Sequence, residues 1–246
     1  MAFQTVFKRY ELKYILTMEQ KEKILAAMAP YMIADQYGRT TVRNIYLDTD
    51  DYRLIRRSIE KPAYKEKLRI RSYAQAAADS TVFVELKKKY EKVVYKRRLA
   101  LCQRDAMAWV CGIGACPVDT QISREIQYFM DFYGKLIPTV FLSYEREAYF
   151  EKNGGNFRVT FDDHILARQT DIDLCAPIYG TPILPEKLAL MEIKCAGGIP
   201  LWMVAVLSRE RIYRTSFSKY GTAYTQQIFP QNYNLQKEII TYGSYF

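Results

Sequence analysis

The chain has 246 residues, of which 49% are hydrophobic and 21 are tyrosine, a composition that excludes a disordered protein and suits one large domain over residues 1–246. The formal charge of +9, from 36 Lys and Arg against 27 Asp and Glu, predicts anionic partners such as nucleotides, phosphates, nucleic acid or acidic lipids. The five scattered cysteines argue against a disulfide framework and a zinc site, and the single histidine argues against Ser-His-Asp catalysis. No apolar run approaches the roughly 18 residues of a membrane span, so we expect a soluble, cytoplasmic protein.

The first part of the chain alternates strand and helix patterns. Residues Phe7 to Leu16 alternate charged with apolar side chains and predict a first strand. Thr17 then begins a helix as the first residue of a Thr-x-x-Gln capping box, and Pro30 ends it. A second strand is predicted from Thr41 to Leu47, followed by a short basic helix through about Ile59.

Three further strands and a helical insertion come next. Lys65 to Tyr73 and Thr81 to Lys89 predict a hairpin joined by an Ala-rich loop, and another strand is predicted near Val93 to Leu101. The pattern is helical from Arg104 to about Leu136, with Ser123 as a cap.

Strands resume after the insertion. Thr139 to Phe150 and Phe157 to Asp162 predict a second hairpin around a Gly-rich turn, and Leu188 to Lys194 predicts a further strand. Pro200 suits the first position of a helix, and Ser218 to Ile228 predicts a last one. The chain is therefore predicted to be a many-stranded antiparallel α+β protein.

The predicted strands carry their charges on one face. Side chains alternate between the two faces of a strand, so Lys67-Leu68-Arg69-Ile70-Arg71 puts three cations on one side, and Val84-Glu85-Leu86-Lys87 and Met191-Glu192-Ile193-Lys194 follow the same rule. Such alternation is also typical of the solvated face of an open sheet. Because it recurs on nearly every strand, we favour a closed antiparallel β-barrel with a charged lumen and peripheral helices, which would bind a polyanion.

The basic side chains of this face are suited to phosphate. Arginine binds phosphate oxygens in bidentate fashion and lysine adds point charges, so a ring of both would hold consecutive phosphates, and no Walker or GxGxxG motif competes for that role. The residues are Lys13, Lys67, Arg69, Arg71, Lys87, Lys96, Arg98, Arg146, Arg158 and Lys194. Carboxylates on the same face would repel phosphate unless they hold Mg²⁺ or Mn²⁺, and Glu192 and Glu85 are the first candidates.

Seven short motifs follow one another from about Phe7 to Tyr224. They are Tyr10-Glu11-Leu12-Lys13-Tyr14, Ile45-Tyr46-Leu47-Asp48-Thr49, Leu68-Arg69-Ile70-Arg71, Phe83-Val84-Glu85-Leu86-Lys87, Arg158-Val159-Thr160-Phe161-Asp162, Met191-Glu192-Ile193-Lys194 and Phe217-Ser218-Lys219-Tyr220. In this order they resemble the polyphosphate polymerase domain of the vacuolar transporter chaperone (VTC) family. That family belongs to the CYTH-like triphosphate tunnel metalloenzymes, so the resemblance implies a closed antiparallel barrel with a charged lumen.

The resemblance also implies roles for individual residues. Those expected to bind phosphates are Lys13, Arg69, Arg71, Lys87, Arg158, Lys194 and Lys219, with Ser218 near the phosphate chain. Glu192 would bind the divalent metal, Mn²⁺ or Mg²⁺, and Glu85 would assist it. Lys96 or Arg98 would fill a further basic position, and the sequence leaves the choice open.

One departure from the hydrolytic relatives separates two functions. CYTH-type hydrolases carry Glu-x-Glu-x-Lys on the first strand, whereas this chain has Arg9 in place of the first Glu of that motif. The missing carboxylate counts against a simple triphosphatase and favours the VTC-like branch. We also expect an isolated catalytic domain, without the sensing domain and membrane helices of the eukaryotic complexes.

The expected function is an ATP-dependent polyphosphate polymerase in which metal and basic side chains neutralise charge as the γ-phosphoryl group moves to a growing chain. A metal-dependent triphosphatase would release free phosphate instead, and a non-catalytic module would only bind polyphosphate or nucleic acid. A narrow tunnel should reject double-stranded nucleic acid, and tyrosines at strand spacing are more typical of a core than of base stacking. A membrane-protein partner for product export stays open.

Overall fold

A computed structural model of the protein describes residues 10–91 and 93–230 and places eleven strands in one sheet. The strands are β1 (Tyr10–Thr17), β2 (Met32–Ala34), β3 (Thr40–Asp48), β4 (Tyr64–Ser72), β5 (Thr81–Tyr90), β6 (Val93–Cys102), β7 (Ile137–Glu151), β8 (Arg158–Arg168), β9 (Thr181–Pro182), β10 (Leu188–Cys195) and β11 (Arg214–Thr215). The helices are α1 (Met18–Met28), α2 (Arg53–Ile59), α3 (Gln103–Val110), α4 (Gln121–Tyr133), α5 (Leu201–Arg209) and α6 (Lys219–Ala223), the last continuing as a π-helical turn (Tyr224–Ile228). The predicted α+β class is confirmed.

Most predicted elements are confirmed with small shifts of their bounds. The part of the first predicted strand that precedes β1, residues 7–9, lies outside the described residues. The capping box of α1 is present, because Thr17 and Gln20 exchange side-chain and backbone hydrogen bonds. The prediction of Ser123 as the cap of α4 is wrong: the extended residue before the helix is Thr120, and Ser123 is its partner in the third helical position. Strands β2, β9 and β11, of three residues or fewer, are too short to show alternation in the sequence.

The sheet is antiparallel and open. Its strands follow the order β11-β1-β10-β8-β7-β3-β4-β5-β6, and among the described residues no backbone pairing joins β6 to β11. A closed barrel is therefore not confirmed. The physical reason is the length of the edge: β11 has two residues, too few to offer a hydrogen-bond ladder to the ten residues of β6.

The two ends of the sheet nevertheless meet through side chains. Lys87 Nζ on β5 lies 3.4 Å from Glu11 Oε2 on β1. Lys67 Nζ on β4 donates to Ser218 Oγ, just before α6, at 3.0 Å. The sheet thus curls until its inner-face charges contact one another across the opening between its edges.

The helices bury the apolar outer face of the curled sheet. Leu68 and Leu86 of the central strands pack with Phe129 of α4 in one buried cluster, and Ile193 of β10 packs with Met203 of α5 in another. Burying an aliphatic or phenyl side chain of this size contributes about 1.5–3 kcal/mol, so the outer face stabilises the fold and the charged face is left pointing inward. No helix in the described part of the chain is both long and apolar enough to cross a membrane.

Candidate functional site

The inner face of the sheet surrounds a cavity of about 600 Å³. Its walls come from strands β1, β3, β4, β5, β6, β7 and β10 and from the segment Ser218 to Tyr220. The basic lining residues are Lys13, Lys67, Arg69, Arg71, Lys87, Lys96, Arg97, Arg146, Lys194 and Lys219, and the acidic ones are Glu11, Glu85 and Glu192. So large an excess of positive charge in a concave space attracts polyanions.

Twelve of the fourteen residues predicted for the site line this cavity, and Arg98 and Arg158 do not. The Arg98 guanidinium donates from Nε to Glu85 Oε1 at 2.6 Å and from Nη2 to the Tyr73 hydroxyl at 2.7 Å. The Arg158 guanidinium lies 4.5 Å from the centre of the Phe150 ring. The sequence left open whether Lys96 or Arg98 on β6 faces the cavity. In the structure Lys96 lines it.

Glu85 is the acidic centre of the arginine cluster. Its side chain is 1% exposed and lies 2.7 Å from both Arg69 Nη2 and Lys96 Nζ, with Arg98 and Arg71 also paired to it. Burial opposes ionisation, but attraction to Arg69 and Arg71 outweighs it and holds the pKa of Glu85 well below its ordinary value. Because its contacts with Arg69, Lys96 and Arg98, at 2.5–2.7 Å, are shorter than the 3.4–3.7 Å contacts of Glu192 with its cations, Glu85 is suited to orienting the arginines, and its metal binding stays a prediction.

Glu192 and Glu11 share the ammonium group of Lys13. Lys13 Nζ lies 3.4 Å from Glu11 Oε1 and 3.4 Å from Glu192 Oε1, because the β1–β10 register places Lys13 opposite Glu192. Despite burial, attraction to Lys219 and Lys13 holds the pKa of Glu192 well below its ordinary value. Despite burial, attraction to Lys87 lowers the pKa of Glu11 to about 2. Both carboxylates are therefore ionised at neutral pH.

These two carboxylates are the donor set available for a divalent metal. Within residues 10–91 and 93–230, no group of three or more His, Cys, Asp or Glu side chains is arranged to hold a metal ion. Mg²⁺ is commonly bound by one or two carboxylates together with substrate phosphates. Glu11 and Glu192 fit that pattern, since they already hold one cation, the Lys13 ammonium, between them. A metal at this position needs the phosphates of a substrate to complete its coordination.

Asp162, on β8, holds two of the cations that line the cavity. Its fully buried carboxylate accepts from Arg146 Nε at 2.6 Å and from Arg146 Nη2 at 2.7 Å, and it also pairs with Lys219. Arg146 and Lys219 lie against the ring of Tyr144, at 5.1 and 4.4 Å from its centre. Both cations are thus held in place independently of any ligand.

Three tyrosines line the cavity: Tyr46 and Tyr144, which strand spacing assigned to the core, and Tyr220, which lies in α6. The Tyr46 hydroxyl accepts from Arg69 Nη1 at 3.1 Å, and the Tyr144 hydroxyl accepts from Arg71 Nη2 at 3.0 Å. The signal for Tyr46 was its register, since a residue paired with Arg69 across β3 and β4 must share its face. Tyr46 and Tyr144 therefore help to orient Arg69 and Arg71.

Lys67 differs from the other cations of the cavity in its partners. Its Nζ donates to the Ser218 hydroxyl at 3.0 Å, and in the described part of the chain it makes no ion pair with a carboxylate. Burial, together with repulsion from Lys87 and Lys13, lowers the pKa of Lys67 to about 7. Burial also lowers the pKa of Lys96 to about 7, despite the attraction of Glu85, so the charges of Lys67 and Lys96 are both sensitive to the arrival of an anion.

The cavity continues into a second one of about 680 Å³. Glu11, Lys13, Lys67, Lys87, Val94 and Ser218 line both. The second cavity adds the basic residues Lys61, Lys65, Lys89 and Arg214. A continuous basic path therefore runs past Ser218, between the β1 and β5 sides of the sheet opening.

Comparison with known proteins agrees with this geometry. The family model of the VTC domain matches residues 8–228. None of the curated proteins matches the sequence.

Solved structures with a similar fold include a candidate adenylate cyclase from Bacillus halodurans, with a TM-score of 0.52 and 14% identity over 87% of this chain and 94% of that chain. A candidate adenylate cyclase from Vibrio parahaemolyticus has a TM-score of 0.47 and 12% identity over 89% and 98% of the two chains. The Mimivirus capping enzyme triphosphatase has a TM-score of 0.34 and 9% identity over 83% and 87%. The first of these shows a shared fold, and at such identities no function is carried over.

Proposed function

Because the chain belongs to the VTC domain family, we propose that it is a metal-dependent polyphosphate polymerase, which transfers the γ-phosphoryl group of ATP to a growing polyphosphate chain. The triphosphate of ATP would lie in the first cavity, where the ten basic side chains offset its charge. ATP and polyphosphate would be its ligands. Phosphoryl transfer depends mainly on positioning and electrostatic stabilisation, so the reaction requires no nucleophile from the protein.

The side chains of β4 would act as a preorganised clamp on the phosphates. Glu85 and Tyr46 hold Arg69 from two sides, and Tyr144 holds Arg71. Guanidinium groups that are already oriented lose little freedom on binding and stabilise charge as it develops on the transferring phosphoryl group. Arg146 and Lys219, which contact the ring of Tyr144, are oriented in the same way by Asp162.

Divalent metal, Mn²⁺ or Mg²⁺, would supply charge neutralisation on the phosphates. Glu192 and Glu11 are the residues that would hold it, together with phosphate oxygens of the substrate. Lys13, which lies between the two carboxylates, would then be displaced toward the phosphates, where its charge is also needed.

The observation that favours a polymerase over a triphosphatase is the second cavity. A triphosphatase needs room for its substrate and a water molecule, whereas a polymerase must also hold the chain that accepts the phosphoryl group. Lys61, Lys65, Lys89 and Arg214 extend the basic surface beyond the first cavity and would bind that chain. Arg9, which replaces a carboxylate of the hydrolytic relatives, supports the same choice from the sequence.

The test is to incubate the purified protein with ATP and Mn²⁺ and to separate long polyphosphate from orthophosphate on a gel. We expect long chains from the wild type, and none from Glu192→Ala or Arg69→Ala. Arg104→Ala, which removes a highly exposed arginine outside the cavity, is the matched control and should retain activity.

Each other result points to a different function. Free phosphate as the sole product would identify a triphosphatase. Tight polyphosphate binding without turnover would identify a binding module. Full activity in Glu192→Ala would refute the site assignment. Duplex DNA should not compete with tripolyphosphate for the cavity.

A further inference from the structure

Two of the sequence motifs meet at a buried hydrogen bond. Asp48, at the end of β3, is fully buried, and the hydroxyl of Tyr220 in α6 donates to its Oδ2 at 2.9 Å. The two residues are 172 positions apart in the chain. Neither has a role in the proposed reaction as described above, although Tyr220 lines the cavity.

Asp48 is a rigid acceptor. Its Oδ1 accepts from the backbone N–H groups of Thr49 and Leu54 at 2.9 and 2.8 Å, and its Oδ2 accepts from the N–H of Ile55 at 3.0 Å. These bonds tie the start of α2 to the end of β3. The carboxylate therefore cannot move without breaking several buried hydrogen bonds, and the Tyr220 hydroxyl is anchored to a fixed point.

Tyr220 fastens the first turn of α6 to the sheet. Its ring stacks on Tyr46 with the ring centres 4.7 Å apart, and its hydroxyl lies 3.0 Å from Thr139 Oγ1 on β7. The two residues that precede it are Ser218 and Lys219, which both line the cavity. Because α6 has only five residues before its π-helical turn, few backbone hydrogen bonds fix its first turn, and the contacts of Tyr220 hold that turn against the sheet.

We propose that Asp48 and Tyr220 are positioning residues: their hydrogen bond sets the place of Ser218 and Lys219 in the cavity and so determines how tightly a phosphate chain is held. The proposal rests on the phosphate-binding role proposed for Lys219, whose Nζ pairs with Asp162 and lies 3.7 Å from Glu192 Oε1. A small displacement of α6 would move this ammonium away from both carboxylates and from a bound phosphate, and misplacement by an ångström can cost up to about a hundredfold in rate.

The test is a double-mutant cycle on Tyr220 and Lys219. Tyr220→Phe removes the hydroxyl and leaves the stacked ring. We expect the affinity for inorganic tripolyphosphate, measured by calorimetry without ATP, to fall about tenfold in this variant, which is the effect of one lost hydrogen bond. In a Lys219→Ala background the same change should have little further effect, because the group through which it acts is gone.

The matched control is Tyr133→Phe, which removes a hydroxyl that donates to Glu66 at 2.9 Å, away from the cavity lining. It should leave the affinity unchanged, whereas kcat and KM for ATP should change in Tyr220→Phe. If Tyr220→Phe fails to fold, Asp48→Asn enters the same cycle.

The proposal would be overturned if Tyr220→Phe left the affinity for tripolyphosphate unchanged. It would also be overturned if Tyr220→Phe lowered the affinity by the same factor with and without Lys219→Ala, because the hydroxyl would then act independently of Lys219. Because tripolyphosphate binding is measured without turnover, the outcome is separate from that of the proposed function. A wild type that makes no polyphosphate, but shows the coupling, would refute the polymerase and retain the positioning role.

Discussion

Replacing Glu85 with Gln would remove the charge around which the arginines of the cavity are arranged. The substitution keeps the shape of the side chain, so no cavity is created and the change is electrostatic. One amide oxygen would remain to accept hydrogen bonds, and the amide NH₂ would face a guanidinium or an ammonium group of Arg69, Lys96 or Arg98. We expect the variant to fold with reduced stability.

The expected loss follows from the exposure of the four partners. Removing one member of a buried ion pair costs about 3–5 kcal/mol, because the other charge stays buried. Arg71 is 7% exposed but lies 4.0 Å from Glu85. The closer partners Arg69, Lys96 and Arg98 retain 20%, 40% and 36% exposure. Water screens these charges, so the lower end applies, and a loss of about 3 kcal/mol corresponds to a decrease in Tm of about 6–12 °C for a chain of this size.

Thermal unfolding followed by circular dichroism measures this change. The matched control is Glu125→Gln on α4, which breaks a single pair with Arg97 at 2.7 Å, with the carboxylate 29% exposed. A pair of this kind contributes about 0–1 kcal/mol, so the control should lose at most about 4 °C. Tripolyphosphate should stabilise Glu85→Gln more than the wild type, because phosphate oxygens replace the missing charge.

Equal losses of Tm in Glu85→Gln and Glu125→Gln would refute this reasoning. A reduced affinity for Mn²⁺ at an unchanged Tm would instead support Glu85 as a metal ligand.

Four further predictions address other charges. Burial and the neighbouring Lys87 and Lys13 lower the pKa of Lys67 to about 7, and burial lowers the pKa of Lys96 to about 7 despite the attraction of Glu85, so above that pH a bound polyanion should restore both charges. Tripolyphosphate binding should then take up protons and weaken as pH rises, which calorimetry in buffers of different ionisation enthalpy would show. Lys67→Met should reduce this uptake, and uptake unchanged in the variant would refute the role of Lys67. Lys21 is buried between Glu147 Oε1 at 2.7 Å and Asp163 Oδ2 at 3.3 Å, so Lys21→Met should lower the free energy of unfolding in urea by about 3 kcal/mol. Despite burial, hydrogen bonding to Arg39 lowers the pKa of Asp163 from 3.8 to about 2, and the stability that it contributes at neutral pH should be lost as the pH falls through that interval, with acid unfolding as the measurement. Glu192→Gln should abolish turnover at every Mn²⁺ concentration while tripolyphosphate still binds in the absence of metal, and turnover that still rises with Mn²⁺ in the variant would place the metal elsewhere.

The faces of the strands could be predicted from the sequence because alternation is a local property. Lys67, Arg69 and Arg71 point into one cavity for the same reason that any residues two apart in a strand share a face. The hairpin of β5 and β6 likewise places Arg98 opposite Glu85. Pairing over short separations in the chain therefore explains most of the predicted site.

The remaining features depend on contacts between distant parts of the chain. Closure of the sheet is decided by the length of its edge strands, and alternation carries no information about two-residue strands such as β11. The roles of the carboxylates depend on which cations surround them: Glu85 and Glu192 occupy similar positions in their sequence motifs, yet the first is enclosed by arginines and the second lies beside Glu11. The anchor between Asp48 and Tyr220 joins residues 172 positions apart and has no signature in either motif alone.

The opening between the edges of the sheet has a consequence for how a long polymer gains access to the interior. In a closed ring a chain could enter only by one of its ends. Here the opening is bridged by an ion pair between Lys87 and Glu11, with Lys87 42% exposed, and by the hydrogen bond from Lys67 to Ser218; the ion pair is worth about 0–1 kcal/mol. Side-chain rotation takes nanoseconds or less at exposed positions. Under the proposed function, the middle of a polyphosphate chain would pass sideways through the opening once both contacts part, and initiation on existing polymer would not require threading.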